Sequence, residues 1–307
     1  KFMLGGNAEQ HLYHNSTLAI DADSGEIAWY FQHLVDHWDL DHPFERLLLD
    51  TAVAPDEDAV RWINPRVRSG EVRKVITGIP GKTGLVYTLD RATGQFLWAR
   101  ETTVQNVIEE LNVESGAAEI NRDMLFTAPG QEKLICPATR GGKNYPAGSY
   151  SPLTGLMYFP LENTCMRATS GAGQSLDDLY AFRNAVQITP GAENVGRIEA
   201  ISASTGTTAW QIEQRAGTLS LLTTGGGLLF GRDVNGRFRA YHQRSGEQLW
   251  EVNLGSPVNG YPVSFAVDGK QYVAVSTGPS GHVFGLARLT PELRVGTGNQ
   301  LFVFALP

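Results

Sequence analysis

Four copies of one short pattern constrain this chain more than any single residue does. LAIDADSGEIAW ends at Trp29, YTLDRATGQFLW at Trp98, EAISASTGTTAW at Trp210 and RAYHQRSGEQLW at Trp250. Each copy has a Ser or Thr, then Gly, then Trp four residues later. Gly25, Gly94, Gly206 and Gly246 therefore hold one place in the repeat, and four of the six tryptophans hold another. A repeat fixes architecture before chemistry, because each copy is one supersecondary unit that buries its apolar face against its neighbours. Each copy reads as strand, turn, strand: LAID, then DSG, then EIAW. The glycine supplies the positive φ of the turn, and the preceding Asp or Ser can bond its own backbone. Units of this length fit the blades of a β-propeller, with a Trp wedged between neighbouring blades.

The rest of the chain supports an all-β reading. Short apolar runs with turn signals between them recur: GLVYTLD, KLICPAT, GLMYFPL, GGLLFGR, GRFRAYH and LFVFAL. VDGK between VSFA and QYVAV is a hairpin signature. The Trp spacings are uneven, at 69, 112 and 40 residues, and only the last matches one four-stranded blade. Residues 101–125 and 166–197 read as insertions, with NVIEEL and SLDDLYAFRNA as short helices and Ser175 as an N-cap.

Composition excludes some functions. The 34 glycines in 307 residues exceed the roughly 7% of an average protein, as many tight turns would require. A formal charge of −7 with interspersed signs lacks the basic footprint of nucleic-acid binding. No run approaches the length of a membrane-spanning helix. Lys1 opens directly into a strand-like KFMLGGN without an initiator Met, so the sequence is expected to begin within a longer protein. Cys136 and Cys165 enclose about 30 residues; by themselves they fit a disulfide or two buried thiols equally well.

The segment Val35-Asp-His-Trp-Asp-Leu-Asp-His42 carries the most chemistry. Asp39 and Asp41, two apart beside Trp38, would lie on one side of a strand. Carboxylates so placed repel unless a cation separates them, so a hard metal is one reading and a solvated acidic loop the other.

At this point the sequence resembles a known family. HWDLDHPFER, ten residues after a repeat, is similar to the catalytic segment of pyrroloquinoline-quinone (PQQ) dependent alcohol dehydrogenases. These are eight-bladed propellers with A-x-D-x-x-[ST]-G-x-x-x-W repeats. The resemblance runs on in order through ITGIPGKTGLVYTLDRATG at 76–94 and LICPATRGGKNYPAGSYSPLTGLMYFPLENTC at 134–165. GGGLLFGRDVNGRFRAYHQRSGEQLW at 225–250 and YPVSFAVDGKQYVAV at 261–275 complete it. It implies that residues 1–307 are a partial quinoprotein β-propeller domain, roughly its C-terminal half, with the N-terminal half absent from this chain.

The resemblance also implies roles. Asp39 matches the catalytic base that accepts the hydroxyl proton of an alcohol as hydride moves to the quinone. Asp41 matches the extra aspartate of lanthanide-dependent members, and Asn7 in Gly5-Gly-Asn7 a metal-ligating asparagine. Asn7, Asp39 and Asp41 are thus the implied ligands of Ca2+ or a lanthanide(III) ion. Lys82 in PGKTG matches the cation over the quinone's reactive carbonyl, and Asn144 in GGKNYP an asparagine that hydrogen-bonds PQQ. Cys136 and Cys165 fall on cysteine positions of the matching stretch, which favours a disulfide. The implied setting is the periplasm, with an alcohol substrate, an external electron acceptor such as a cytochrome c, and the missing N-terminal half as partners.

Two features depart from the family. No Trp lies between Trp210 and Trp250, where members often present one to the quinone, so that contact is either lost or supplied by Arg215, Thr218 or Leu219. The family's metal-ligating glutamate, vicinal disulfide and Trp beneath the quinone belong to the N-terminal half. No C-x-x-C-H is present, so this stretch attaches no haem. The same repeats also fit a non-catalytic propeller scaffold of an envelope assembly complex, or a degenerate enzyme that binds no cofactor. Half a ring would expose apolar faces at its end blades, so residues 1–307 are not expected to form a stable monomer alone.

Overall fold

The computed structural model describes residues 11–171, 182–217 and 219–305. All of its sheets are antiparallel, and together they have the β-propeller fold that the repeats predict. The chain divides into two compact units.

The first unit comprises Lys1–Asn144, Asn163–Pro190 and Ser204–Thr207. Its largest sheet has five strands in the order Leu47–Val53, Glu71–Gly78, Leu85–Asp90, Phe96–Glu101, Trp62–Ile63. Hairpins Ser16–Ile20/Ile27–Gln32 and Ile108–Leu111/Ala118–Ile120 accompany it, with a three-stranded sheet of Glu132–Ile135, Thr164–Ser170 and Phe182–Ile188. Phe31, Trp38, Leu40, Trp62, Tyr87 and Phe96 lie in one buried cluster. The second unit comprises Tyr145–Glu162, Gly191–Ala203 and Thr208–Pro307. Among its described residues are two four-stranded sheets, a three-stranded sheet and the helix Gly281–Leu289, which Ser280 caps by accepting from the Val283 N–H.

The repeat turns follow the chemistry of their residues. Asp21 Oδ1 accepts from the backbone N–H groups of Asp23 and Ser24 and from the Ser24 hydroxyl. Asp90 does the same for Ala92 and Thr93. Three of the four turns close with the glycine N–H on the carbonyl four residues back, at Gly25, Gly94 and Gly246. A fifth turn has the same bonds: Asn112 accepts from Glu114 and Ser115, and the Gly116 N–H reaches Asn112 O. Sequence reading missed it because Ile120 stands where the other copies have Trp.

The glycines also make room for the tryptophans. A Cβ on Gly94 would lie 2.6 Å from Cε3 of Trp29, and one on Gly246 2.8 Å from Cδ2 of Trp210. A Cβ on Gly206 would lie 3.3 Å from Cζ3 of Trp98. Trp29, Trp98 and Trp210 therefore pack on the turn glycine of the next Trp-bearing copy, which explains why the two residues recur together.

Two expectations fail. NVIEEL is not helical: Ile108–Leu111 is a strand. Its buried ends and exposed centre imitate helical spacing, but the turn at Asn112–Gly116 folds it back on Ala118–Ile120. Phe182–Ile188, the end of the second expected helix and beyond, is a strand paired residue for residue with Thr164–Ser170. Its β-branched Val186 and Ile188 suit that pairing. The rest of that expected helix, residues 175–181 with the N-cap Ser175, lies outside the described residues, so only its end is contradicted.

Gly25 and Gly94 share the same positive φ, but no atom lies within 4 Å of a Cβ on Gly25. Gly25→Ala should cost about 1 kcal/mol, from backbone strain alone. Gly94→Ala should cost about 3 kcal/mol, because it also displaces the Trp29 ring. Denaturant unfolding of the full-length protein distinguishes them, and equal losses would refute the packing role.

Candidate functional site

The Asp39–Asp41 segment leaves the Ile27–Gln32 strand as a bend rather than a strand. Alternation nevertheless sorts its side chains. Trp38 and Leu40 are fully buried in the core of the first unit, so Asp39 and Asp41 are the residues turned out. Trp38 Nε1 donates to Met124 O at 3.0 Å, and the Trp38 N–H to Asp36 Oδ1 at 2.8 Å. Asn15 clamps the next residues: Nδ2 donates to Leu40 O and Oδ1 accepts from the His42 N–H, both at 3.2 Å. Arg46 ties down the far end, donating to the carbonyls of Phe44 and His42 and to Thr17 Oγ1. Between these anchors Asp39 adopts φ +67°, a left-handed conformation that costs an ordinary residue roughly 1 kcal/mol and Asp somewhat less.

Lys82 meets this loop. Its N–H donates to Asp41 O at 2.9 Å, and its ammonium donates to Asp39 O at 2.9 Å and Asp41 Oδ2 at 3.0 Å. The same ammonium lies 3.4 Å from Asp39 Oδ1. The lysine side chain is only 11% exposed, whereas Asp39 and Asp41 are 28% and 39% exposed. One buried cation thus lies between two partly open carboxylates. Of the sequence-derived site residues, the structure brings Asp39, Asp41 and Lys82 into direct contact.

A third segment packs on Lys82. Gly142 N–H donates to Lys82 O at 2.8 Å, and a Cβ on Gly141 would lie 2.7 Å from that of Lys82. Asn144 follows two residues later, half-buried, with Nδ2 donating to Arg140 O at 2.6 Å. The Cys136–Cys165 disulfide, with Cα atoms 4.3 Å apart, anchors the start of this segment to the Thr164–Ser170 strand. Asn7 and Thr218 lie outside the described residues. In the second unit Leu219 is buried, and Arg215 is held by Glu292 Oε1 at 2.6 Å and by Glu193 O.

Sequence reading missed Glu45 and Lys143. The Lys143 side chain is 0% exposed, and its ammonium lies 2.8 Å from Glu45 Oε1 and 4.9 Å from the centre of the Phe44 ring. Burial pushes this ammonium below its usual pKa while Glu45 opposes the shift. A lysine between Gly142 and Asn144 in the matching stretch was the available signal.

Asp39 and Asp41 supply hard oxygen donors beside the Lys82 ammonium. Among the described residues no group of three or more His, Cys, Asp or Glu side chains is placed to hold a metal ion. Hard cations take six or more oxygens, so this pair fits such an ion in chemistry and supplies part of its shell.

Comparison with known proteins places the chain in a family. The family "PQQ: Glucose/ethanol/alcohol dehydrogenase, beta-propeller domain" matches residues 3–110 and 204–273, more than half of the chain. The dehydrogenase subunit of an alcohol dehydrogenase (quinone) from Komagataeibacter europaeus is 30% identical over 297 residues. That match covers 91% of this chain and 38% of the relative, so the chain spans well under half of the relative's length. The crystal structure of quinohemoprotein alcohol dehydrogenase from Comamonas testosteroni superposes with TM-score 0.80 at 26% identity, covering 95% of this chain and 42% of that one. A europium-containing methanol dehydrogenase gives TM-score 0.77 at 26% identity, covering 96% and 53%.

Beneath the carboxylate loop lie two buried histidines. His33 and His42 stack with ring centres 5.4 Å apart, and Thr17 Oγ1 lies 2.8 Å from His33 Nε2. Burial holds His33 well below 6.5 and His42 down at about 3, so both are neutral near pH 7. In the unfolded chain each regains a pKa near 6.5 and takes up a proton that the fold refuses. Stability is therefore complete above pH 6.5 and falls as pH drops below it, by at most about 1.4 kcal/mol per pH unit per histidine. His33→Gln should flatten the loss of melting temperature between pH 7 and pH 5 in the full-length protein. An unchanged slope would show that His33 does not contribute.

Proposed function

The chain belongs to the glucose/ethanol/alcohol dehydrogenase β-propeller family, and on that basis we propose that the full protein oxidises an alcohol to an aldehyde or ketone. In this reading it works in the periplasm and passes electrons to an external acceptor such as a cytochrome c. The ring is completed by the propeller half that this chain lacks. Among the described residues, no helix is long and apolar enough to cross a membrane. Pyrroloquinoline quinone, when bound with Ca2+ or a lanthanide(III) ion, supplies the hydride acceptor and a Lewis acid at its carbonyl.

The remaining work falls to residues of this chain. Asp39 is the base: its partly open carboxylate accepts the proton of the substrate hydroxyl. Lys82 fixes the Asp39 backbone through its carbonyl and offers a preorganised positive charge to oxygen that becomes anionic. Asp41, together with Asn7 and Asp39, would ligate the metal, and Asn144 would hydrogen-bond the cofactor. The buried Trp38 and Leu40 hold the two carboxylates outward. The observation that carries this reading is the single ammonium shared by Asp39 and Asp41. The europium named for the methanol dehydrogenase that this chain resembles supports a lanthanide as the ion at Asp41.

Reconstituting the full-length protein with PQQ and either calcium or lanthanum, then following alcohol-dependent dye reduction, tests the proposal. Asp39→Asn should lower kcat by roughly 100-fold or more, the usual contribution of a positioned base. Asp41→Ala should keep calcium activity and lose lanthanum activity. No turnover with either metal across short and bulky alcohols would defeat the enzyme reading, and equal activity of Asp41→Ala with both metals would remove Asp41 from the metal site.

A further inference from the structure

Three loops form the site in the first unit, and two of their three junctions are backbone bonds. The first loop, 38–46, meets the second, 79–84, through Phe44 N–H to Pro80 O at 3.0 Å and Lys82 N–H to Asp41 O at 2.9 Å. The second meets the third, 138–144, through Gly142 N–H to Lys82 O at 2.8 Å. The third returns to the first through a side chain. Lys143 Nζ contacts both Glu45 oxygens, at 2.8 Å and 2.9 Å, and also donates to Asn144 O at 3.2 Å.

The geometry points to Lys143 as a positioning residue that sets the loop bearing Asn144 against the loop bearing Asp39, through the pair of its buried ammonium with the half-buried Glu45. A buried ion pair is weak support for overall stability, because desolvation cancels most of the attraction. Its directional value is higher. The ammonium is fully enclosed, lies over the Phe44 ring, and its second acceptor is the carbonyl of the proposed cofactor-binding residue. The close approach of this segment leaves no slack: a Cβ on Gly142 would lie 2.2 Å from Thr103 Oγ1. Breaking the pair would therefore change how the loop bearing Asn144 sits against the loop bearing Asp39, while Asp39, Asp41 and Lys82 keep their own contacts.

This inference rests on the dehydrogenase reading above, and its test separates the two. In the full-length protein, PQQ affinity in the presence of calcium is measured by quenching of intrinsic tryptophan fluorescence. The rate is then measured as kcat per bound PQQ. Lys143→Met and Glu45→Gln should each weaken PQQ binding about 10-fold and lower kcat per bound PQQ, with the KM for alcohol little changed. Glu45→Gln/Lys143→Met should be no worse than either single variant, because all three lose the same contact. Glu45 is one-third exposed, so Glu45→Gln keeps the test open even if Lys143→Met does not fold. Wild-type PQQ affinity and unchanged kcat per bound PQQ in both single variants, whatever their melting temperatures, would overturn the positioning role. Absence of PQQ binding by the wild-type protein would overturn the dehydrogenase reading, and the positioning role with it.

Discussion

The ammonium of Lys82 is the interaction on which the site depends. Two carboxylates two residues apart would repel and turn away from each other without a cation between them. Lys82 removes that conflict from a buried position, binding the Asp39 carbonyl as well as both side chains. Because its own N–H also reaches Asp41 O, the lysine fixes the loop by backbone and side chain together. A surface ion pair would contribute little; here the enclosed cation makes the geometry specific.

The repeats provide the rigidity behind this arrangement. Asp21, Asp90 and Asn112, four residues before Gly, close three of the hairpins, and Trp29, Trp98 and Trp210 seat on the turn glycine of a later copy. The core of the first unit includes Trp38 and Leu40, which belong to the carboxylate loop itself. Packing and chemistry are therefore adjacent in sequence: the same four residues, Trp38 to Asp41, insert two side chains into the core and present two at the site.

What sequence reading recovered was local. The repeat turns were legible because their hydrogen bonds close within six residues, and VDGK gave the expected hairpin, with Asp268 and Gly269 both at positive φ. The alternation in WDLD correctly paired Asp39 with Asp41, although the loop bends instead of forming a strand. Failures came where distant partners decide. Ile108–Leu111 has helical spacing but is held as a strand by its hairpin mate, and the fifth turn was hidden by the loss of one Trp. Glu45 and Lys143 lie 98 residues apart, a distance that no local pattern spans. The resemblance to quinoprotein dehydrogenases supplied the roles proposed for Asp39, Asp41 and Lys82; spacing alone supplied only a pair of carboxylates and an isolated lysine.

The central claim is that Asp39 and Lys82 act as one unit. A double-mutant cycle on the PQQ- and metal-reconstituted full-length protein tests it most directly, comparing kcat/KM for Asp39→Asn, Lys82→Met and both together. If the ammonium works by fixing and polarising the Asp39 carboxylate, the double variant should be little worse than the poorer single variant. Full additivity of the two losses would mean that the residues act independently, and would contradict the account.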